Sequence, residues 1–209
     1  MYQPPHFKED RLEVQHALIK AHPFGLLISV GPDGPQANGI PFQLDEKAEP
    51  LGVLKTHVAR ANSQWRNLDG KNVLAIFQGP QAYISPSYYE TKRETGKVVP
   101  TWNYVMVQAR GIARIHEDAG WLHRQVGSLT QTHEAGLAQP WHVSDAPIPY
   151  IDSQLRGIVG IEIAIASIAG KWKVSQNRPE ADRRGVADGL AENSTAMAAL
   201  VRQYGGLEK

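Results

Sequence analysis

Residues 157–170, GIVGIEIAIASIAG, space Val159, Ile161, Ile163 and Ile165 two apart, alternating with Gly160, Glu162, Ala164 and Ala166. Successive side chains of an extended chain leave on opposite faces, so this period defines a strand with one large, β-branched face and one small face. The large face requires a core, and the small one predicts a second, tighter surface. The stretch is too short for a membrane-spanning helix and carries Glu162.

The rest of the chain fits around such a strand. FKEDRLEVQHALIKAHP predicts a short helix ended by Pro23. GLLISV and PQANGIPFQL flank GPDG, with Asp33-Gly34 the turn signal of a hairpin over residues 25–44. PLGVLKTH and NVLAIFQG read as two further strands, separated by the helical-looking VARANSQWRNLDGK. QAYISPSYY stays extended up to Pro86, and Val98 to His116 reads as one long bent strand or two. A polar helical segment follows from Glu117 to Glu134, and residues 180–205 close with helix-forming sequence. Short strands with peripheral helices predict a mainly β, α+β fold, a barrel or sandwich. With 209 residues, 42% of them apolar, and no internal repeat or linker, a single domain over 1–209 is expected, with a helical C-terminal extension over about 180–209.

Composition excludes several chemistries. The chain has no cysteine, hence no thiol catalysis, no Cys-ligated zinc and no disulfide. Twenty-two basic residues against twenty-one acidic ones leave a net charge of +1, without the broad positive field of a dedicated nucleic-acid binder. MYQPPHFKEDR places prolines and charges where a signal peptide needs an apolar segment, so a soluble cytoplasmic protein with no membrane partner is expected. Phosphate-binding Gly-Lys-Ser/Thr loops, Gly-x-Gly-x-x-Gly, Gly-x-Ser-x-Gly and His-Glu-x-x-His are absent, and the histidines show no metal-ligand spacing.

Three stretches concentrate groups able to hold a ligand. In LKTHVARANSQW, Lys55, Thr56, His57, Arg60 and Asn62 fall where a strand feeds a helix, and a helix start with a nearby arginine suits a phosphate. The same residues also describe an exposed basic helix start. KVVPTWNYVMV puts Trp102 and Tyr104 on one strand face and Asn103 on the other, a pairing suited to a planar heteroaromatic ring or equally to a barrel core or dimer interface. GKWKVSQNRPEADRRGV carries Lys171, Lys173, Arg178, Arg183 and Arg184 against Glu180 and Asp182, a local balance of +3. It could contact phosphate of a cofactor or nucleic acid, with Trp172 stacking, or form a solvated loop.

Seven ordered blocks, MYQPPHF, LKTHVARANSQW, IFQGPQAYISPSYY, GKVVPTWNY, LTQTHE, PWHVSDAP and IVGIEIAIASIAGKWKVSQNRPEADRRGVADGL, resemble the PaiB-type proteins from residue 1 to about 190. Ser63, Tyr88 and Gln108 stand where that family commonly has proline, tryptophan and histidine. The resemblance implies a six-stranded antiparallel split β-barrel of the FMN-binding type, working as a homodimer with FMN in grooves between protomers. It implies Lys55, Thr56, His57, Arg60 and Asn62 as the phosphate shell and Trp102 and Asn103 at the isoalloxazine, with Lys171, Trp172, Ser175 and Gln176 as further contacts. The function implied is negative regulation of transcription, with DNA as a partner on resemblance alone. The alternatives are an FMN-dependent oxidoreductase or flavin reductase and, less favoured, a haem-associated protein with His57 or His133 on iron.

Overall fold

The structure, a computed structural model, describes residues 1–48 and 50–207. In chain order its elements are β1 (Lys8–Glu9), α1 (Leu12–Ala21), β2 (Phe24–Gly31), β3 (Gly34–Pro41), β4 (Gln43–Asp45), β5 (Val53–Ala59), β6 (Asn72–Ile84), α2 (Glu90–Thr95), β7 (Thr101–His116), α3 (Ala119–Glu134), α4 (Ile148–Arg156), β8 (Ile158–Lys173), α5 (Glu180–Gly189) and α6 (Thr195–Tyr204). Short 3-10 turns lie between some of them. Among the described residues there are eight strands against the six that the resemblance implies, and β1 and β4 are the shortest, two and three residues long. These residues group into two compact units, each interleaved in sequence: Met1–Ala21, Gln78–Gln108 and Ala169–Lys209 form one, His22–Phe77 and Ala109–Ile168 the other.

The strands form a mainly antiparallel sheet in the order β3-β2-β6-β7-β8-β5-β4, with β1 paired to β8 off this path, open at its two ends rather than closed on itself. In β8, Val159, Ile161, Ile163 and Ile165 are all buried, as their period requires. Leu54 of β5 sits opposite Ile163 and is equally buried. The small face divides: Ala164 and Ala166 are exposed, whereas Gly160 is covered. The β2–β3 hairpin turns through Pro32 and Asp33, one residue earlier than the signal suggested, with Gly34 at φ 105°, which its missing Cβ permits.

The helical-looking segment after β5 is a five-residue 3-10 turn, Ser63–Asn67. Tertiary bonds override its helical pattern. The buried Gln64 donates to Leu27 O at 3.2 Å and Ser29 Oγ at 2.9 Å, and accepts from Asn38 Nδ2 at 2.7 Å, which fixes one tight turn against β2 and β3. Residues 98–116, whose sequence fits one strand or two, form the single strand β7 from Thr101. α4 has no counterpart in the sequence reading.

The first unit pairs β1 with β8 antiparallel, Lys8 opposite Lys171. Its helices are tied by carboxylates. Asp182 of α5, buried, accepts from Thr91 N and Thr91 Oγ1 of α2, both at 2.9 Å. Glu9 accepts from Arg11 Nε at 2.8 Å, from Arg11 Nη2 at 2.5 Å and from Tyr204 Oη at 2.8 Å, which anchors the end of α6 to the N-terminal segment.

The Arg11 hydrogen bonds, outweighing the burial that opposes them, hold Glu9 below the usual carboxylate range. A depressed acid contributes stability above its unfolded value, about 4.3, and loses it as pH falls through the folded value. Glu9→Gln is expected to cost about 1.5–3 kcal/mol at pH 7. Thermal melts between pH 3 and 7 should converge for wild type and variant at the acid end; parallel curves would show that Glu9 is not the group responsible.

Candidate functional site

β5 alternates so that Leu54, Thr56 and Val58 are buried while Lys55 and His57 face outward. The five predicted phosphate residues therefore do not converge. Thr56 donates through Oγ1 to Pro41 O at 2.6 Å inside the core. Asn62 caps the 3-10 turn, accepting from Gln64 N at 3.0 Å. Arg60 donates from Nε to Arg156 O at 2.9 Å, from Nη2 to Ile158 O at 3.3 Å and from Nη1 to Glu117 Oε2 at 2.5 Å. The guanidinium thus clasps the α4–β8 connection and the approach to α3. It lines a cleft of 420 Å³ with Glu117, Asp152 and Arg156, where acidic groups already meet its charge. The expected helix start is absent, since a 3-10 turn of this length supplies no aligned dipole of any size.

Lys55 and His57 instead meet α3. His57 Nδ1 lies 2.8 Å from Gln125 Oε1, and Gln125 is only 3% exposed. Its amide nitrogen Nε2 has no partner, although a buried donor is ordinarily satisfied. Gln125, Lys55, Gln43, Trp121, Arg124 and Ser128 line a cleft of 220 Å³. Lys55 Nζ holds Asp45 Oδ2 at 2.9 Å, and this hydrogen bond lowers the Asp45 carboxyl below its ordinary value. Gln43 Nε2 donates to Ser128 Oγ at 2.6 Å. Two cations, an orphaned amide donor and a hydroxyl make a donor set that fits a phosphate. Arg124, Gln125 and Ser128 were missed in the sequence, where they form an undistinguished polar helix face.

Trp121 shapes the same cleft. Its ring lies over Gly160 and stacks on His116 at 4.2 Å with 3° between planes. His116 Nε2 is buried without a hydrogen bond, 3.9 Å from Glu162 Oε2, and desolvation lowers its pKa against the opposing pull of Glu162.

The remaining predicted residues belong to the first unit. Trp102 is exposed, donates from Nε1 to Gln81 Oε1 at 2.6 Å and meets Tyr83 edge-on at 5.9 Å. Asn103 points the other way, buried, and donates from Nδ2 to Ser175 Oγ at 2.9 Å. Ser175 is itself buried with φ 66°, and Trp172 is buried beside it in sequence. Gln176 accepts from Val174 N at 2.8 Å and donates to Trp172 O at 2.5 Å, closing the bend after β8. Trp102 is therefore available to a ligand, whereas Asn103, Ser175 and Gln176 hold the strand end together. Arg183 donates inward to Arg178 O at 3.0 Å and Arg184 pairs with Glu180 at 2.8 Å, so the basic run is not one surface. A larger cleft of 760 Å³ between α2 and α5 is rimmed by ions already paired, Arg93 with Glu90 and Arg184 with Glu180. Among the described residues no group of three His, Asp or Glu could hold a metal ion, and no helix is long and apolar enough to cross a membrane.

Solved structures with this fold include a flavocytochrome of Azotobacter vinelandii, 12% identical with a TM-score of 0.56, covering 79% of this chain and 69% of that one. A conserved hypothetical protein of Mycobacterium tuberculosis aligns at 17% identity and a TM-score of 0.58, covering 86% and 94%. These likenesses show a shared fold, a mainly antiparallel open sheet with helices. Residues 1–167 match the family described as "Putative FMN-binding domain", and the chain belongs to that family, with FMN as its cofactor. An uncharacterized protein of Emericella nidulans is 34% identical over 100% of this chain and 99% of its own. The Bacillus subtilis protease synthase and sporulation protein PAI 2 is 31% identical over 96% of each chain.

Proposed function

We propose that this PaiB-like protein binds FMN through its phosphate at the β5–α3 cleft and acts as a negative regulator of transcription, two copies pairing with the flavin at their interface. The observation that carries the phosphate assignment is the buried, unpartnered Gln125 amide beside Lys55 in a cleft of donors. Lys55, Arg124 and Ser128 would complete the shell, with Asp45 releasing Lys55 to the ligand. When bound, FMN supplies a ring able to accept and return electrons, and Trp102 of the second copy, exposed on each chain, offers that ring an aromatic surface.

Regulation is supported by the seven blocks resembling PaiB-type regulators and by the full-length relative named for protease synthase and sporulation. Pairing is supported by the apolar outer side of β2, where Phe24 and Val30 are 69% and 77% exposed and Leu26 lies between them.

Titration of FMN and riboflavin into wild type and Lys55→Ala tests the phosphate site. Lys55→Ala should weaken FMN by roughly 1.5–3 kcal/mol and leave riboflavin unchanged. Equal losses for both would remove the phosphate from this cleft. Arg60→Ala, in contrast, should lower the melting temperature, because it unclasps three elements. Sedimentation of the same samples should give a dimer, and a monomer throughout would remove the interface. Shifts of DNA fragments from the chain's own upstream region, with and without FMN, test regulation; flavin-dependent NAD(P)H consumption without any DNA shift would favour the oxidoreductase.

A further inference from the structure

Alternation in β7 and β8 brings together a set of charges that the phosphate cleft does not use. Lys171 Nζ lies 5.3 Å from the Tyr104 ring centre and 5.4 Å from that of Tyr2. Lys173 Nζ donates to Trp102 O at 2.6 Å and to the Thr101 hydroxyl. Arg178 stacks over the Tyr89 ring at 4.8 Å. Lys171 is 7% exposed, yet neither it, Lys173 nor Arg178 has a carboxylate partner among the described residues. Burial lowers the Lys173 pKa, and the charges of Lys171 and Arg178 lower it further, so the three cations feel one another.

A lysine this buried is ordinarily paired, and aromatic faces replace only part of the lost hydration. Like charges gathered without a counter-ion repel, and an incoming anion removes both costs at once. Lys171 lies against the rings of Tyr2 and Tyr104, and the exposed Trp102, whose carbonyl holds Lys173, meets Tyr83 edge-on, which suits an anion carried on an aromatic body.

We propose that this face binds an aromatic anion, its phosphate or carboxylate meeting Lys171 and Lys173 and its ring lying against Tyr2 and Trp102. The proposal does not rest on the assignment of the FMN phosphate to Lys55. The anion can come from FMN itself or from a separate aromatic acid.

Calorimetric titration of the full chain with phenyl phosphate, benzoate and inorganic phosphate, with and without saturating FMN, separates these sources. Phenyl phosphate or benzoate should bind more tightly than inorganic phosphate, weaken with added salt, and lose roughly tenfold in affinity in Lys171→Met and in Lys173→Met. Binding that persists under FMN identifies a separate acid. Binding abolished by FMN, with FMN itself weakened in Lys171→Met but not in Lys55→Ala, makes the flavin phosphate the anion here, so the Lys55 assignment falls while this site stands; abolition with FMN weakened in Lys55→Ala instead means that a separate acid shares Trp102 with the flavin ring. No binding at millimolar ligand, or affinities indifferent to both substitutions and to salt, overturns the proposal. The salt dependence of wild type decides the matter even if one variant fails to fold.

Discussion

Ile163→Asp is expected to yield no folded protein. Ile163 is fully buried in the middle of β8, opposite the equally buried Leu54 of β5 and in line with Val159, Ile161 and Ile165. Truncating such a side chain alone costs about 2–5 kcal/mol. A carboxylate without a partner in the same place adds several kcal/mol more, whether it stays ionised or takes up a proton. Against a total stability of about 5–15 kcal/mol, that sum leaves little or nothing. Ala164→Asp, one residue along, puts the same group on an exposed position and should cost about 1 kcal/mol, the span of strand propensities. Circular dichroism melts of the two variants read the contrast directly. A cooperative melt of Ile163→Asp near the wild-type temperature would mean that the two faces of β8 have been exchanged.

That strand was legible because its signal is local. Period two in Val159 to Ile165 needs no knowledge of partners, and the same holds for the 25–44 hairpin and α1. What could not be read is set by contacts distant in sequence. The segment after β5 looks helical until Gln64 is seen reaching Leu27 O and Ser29. Thr56 looks like a phosphate ligand until the alternation of β5 turns it into the core, and Arg60 until Arg156, Ile158 and Glu117 claim its donors. The site residues on α3 escaped for another reason: Gln125 gains meaning only from its burial and its unpaired nitrogen, neither of which composition reveals.

Gly160→Val is expected to damage both stability and the candidate phosphate site. A Cβ at residue 160 would stand 2.2 Å from Trp121 Cζ3 and 2.7 Å from Trp121 Cε3, so the indole must leave its place. It has little freedom to do so, since the ring is also stacked on His116. Valine favours strands, which makes the cost one of collision rather than of backbone preference. Expelling a packed indole costs about 3–5 kcal/mol, the scale of a Trp→Ala change. Trp121 also ties α3 to Gly160 of β8 and lines the cleft with Lys55 and Gln125, so its displacement should shift the donors and weaken FMN at least as much as Lys55→Ala does. Trp121→Ala in the Gly160→Val background separates the two effects, because it removes the obstacle and should recover part of the lost stability without restoring FMN affinity. If Gly160→Val alone melts like wild type and binds FMN normally, Trp121 is free to swing away, and the cleft is not held by this contact.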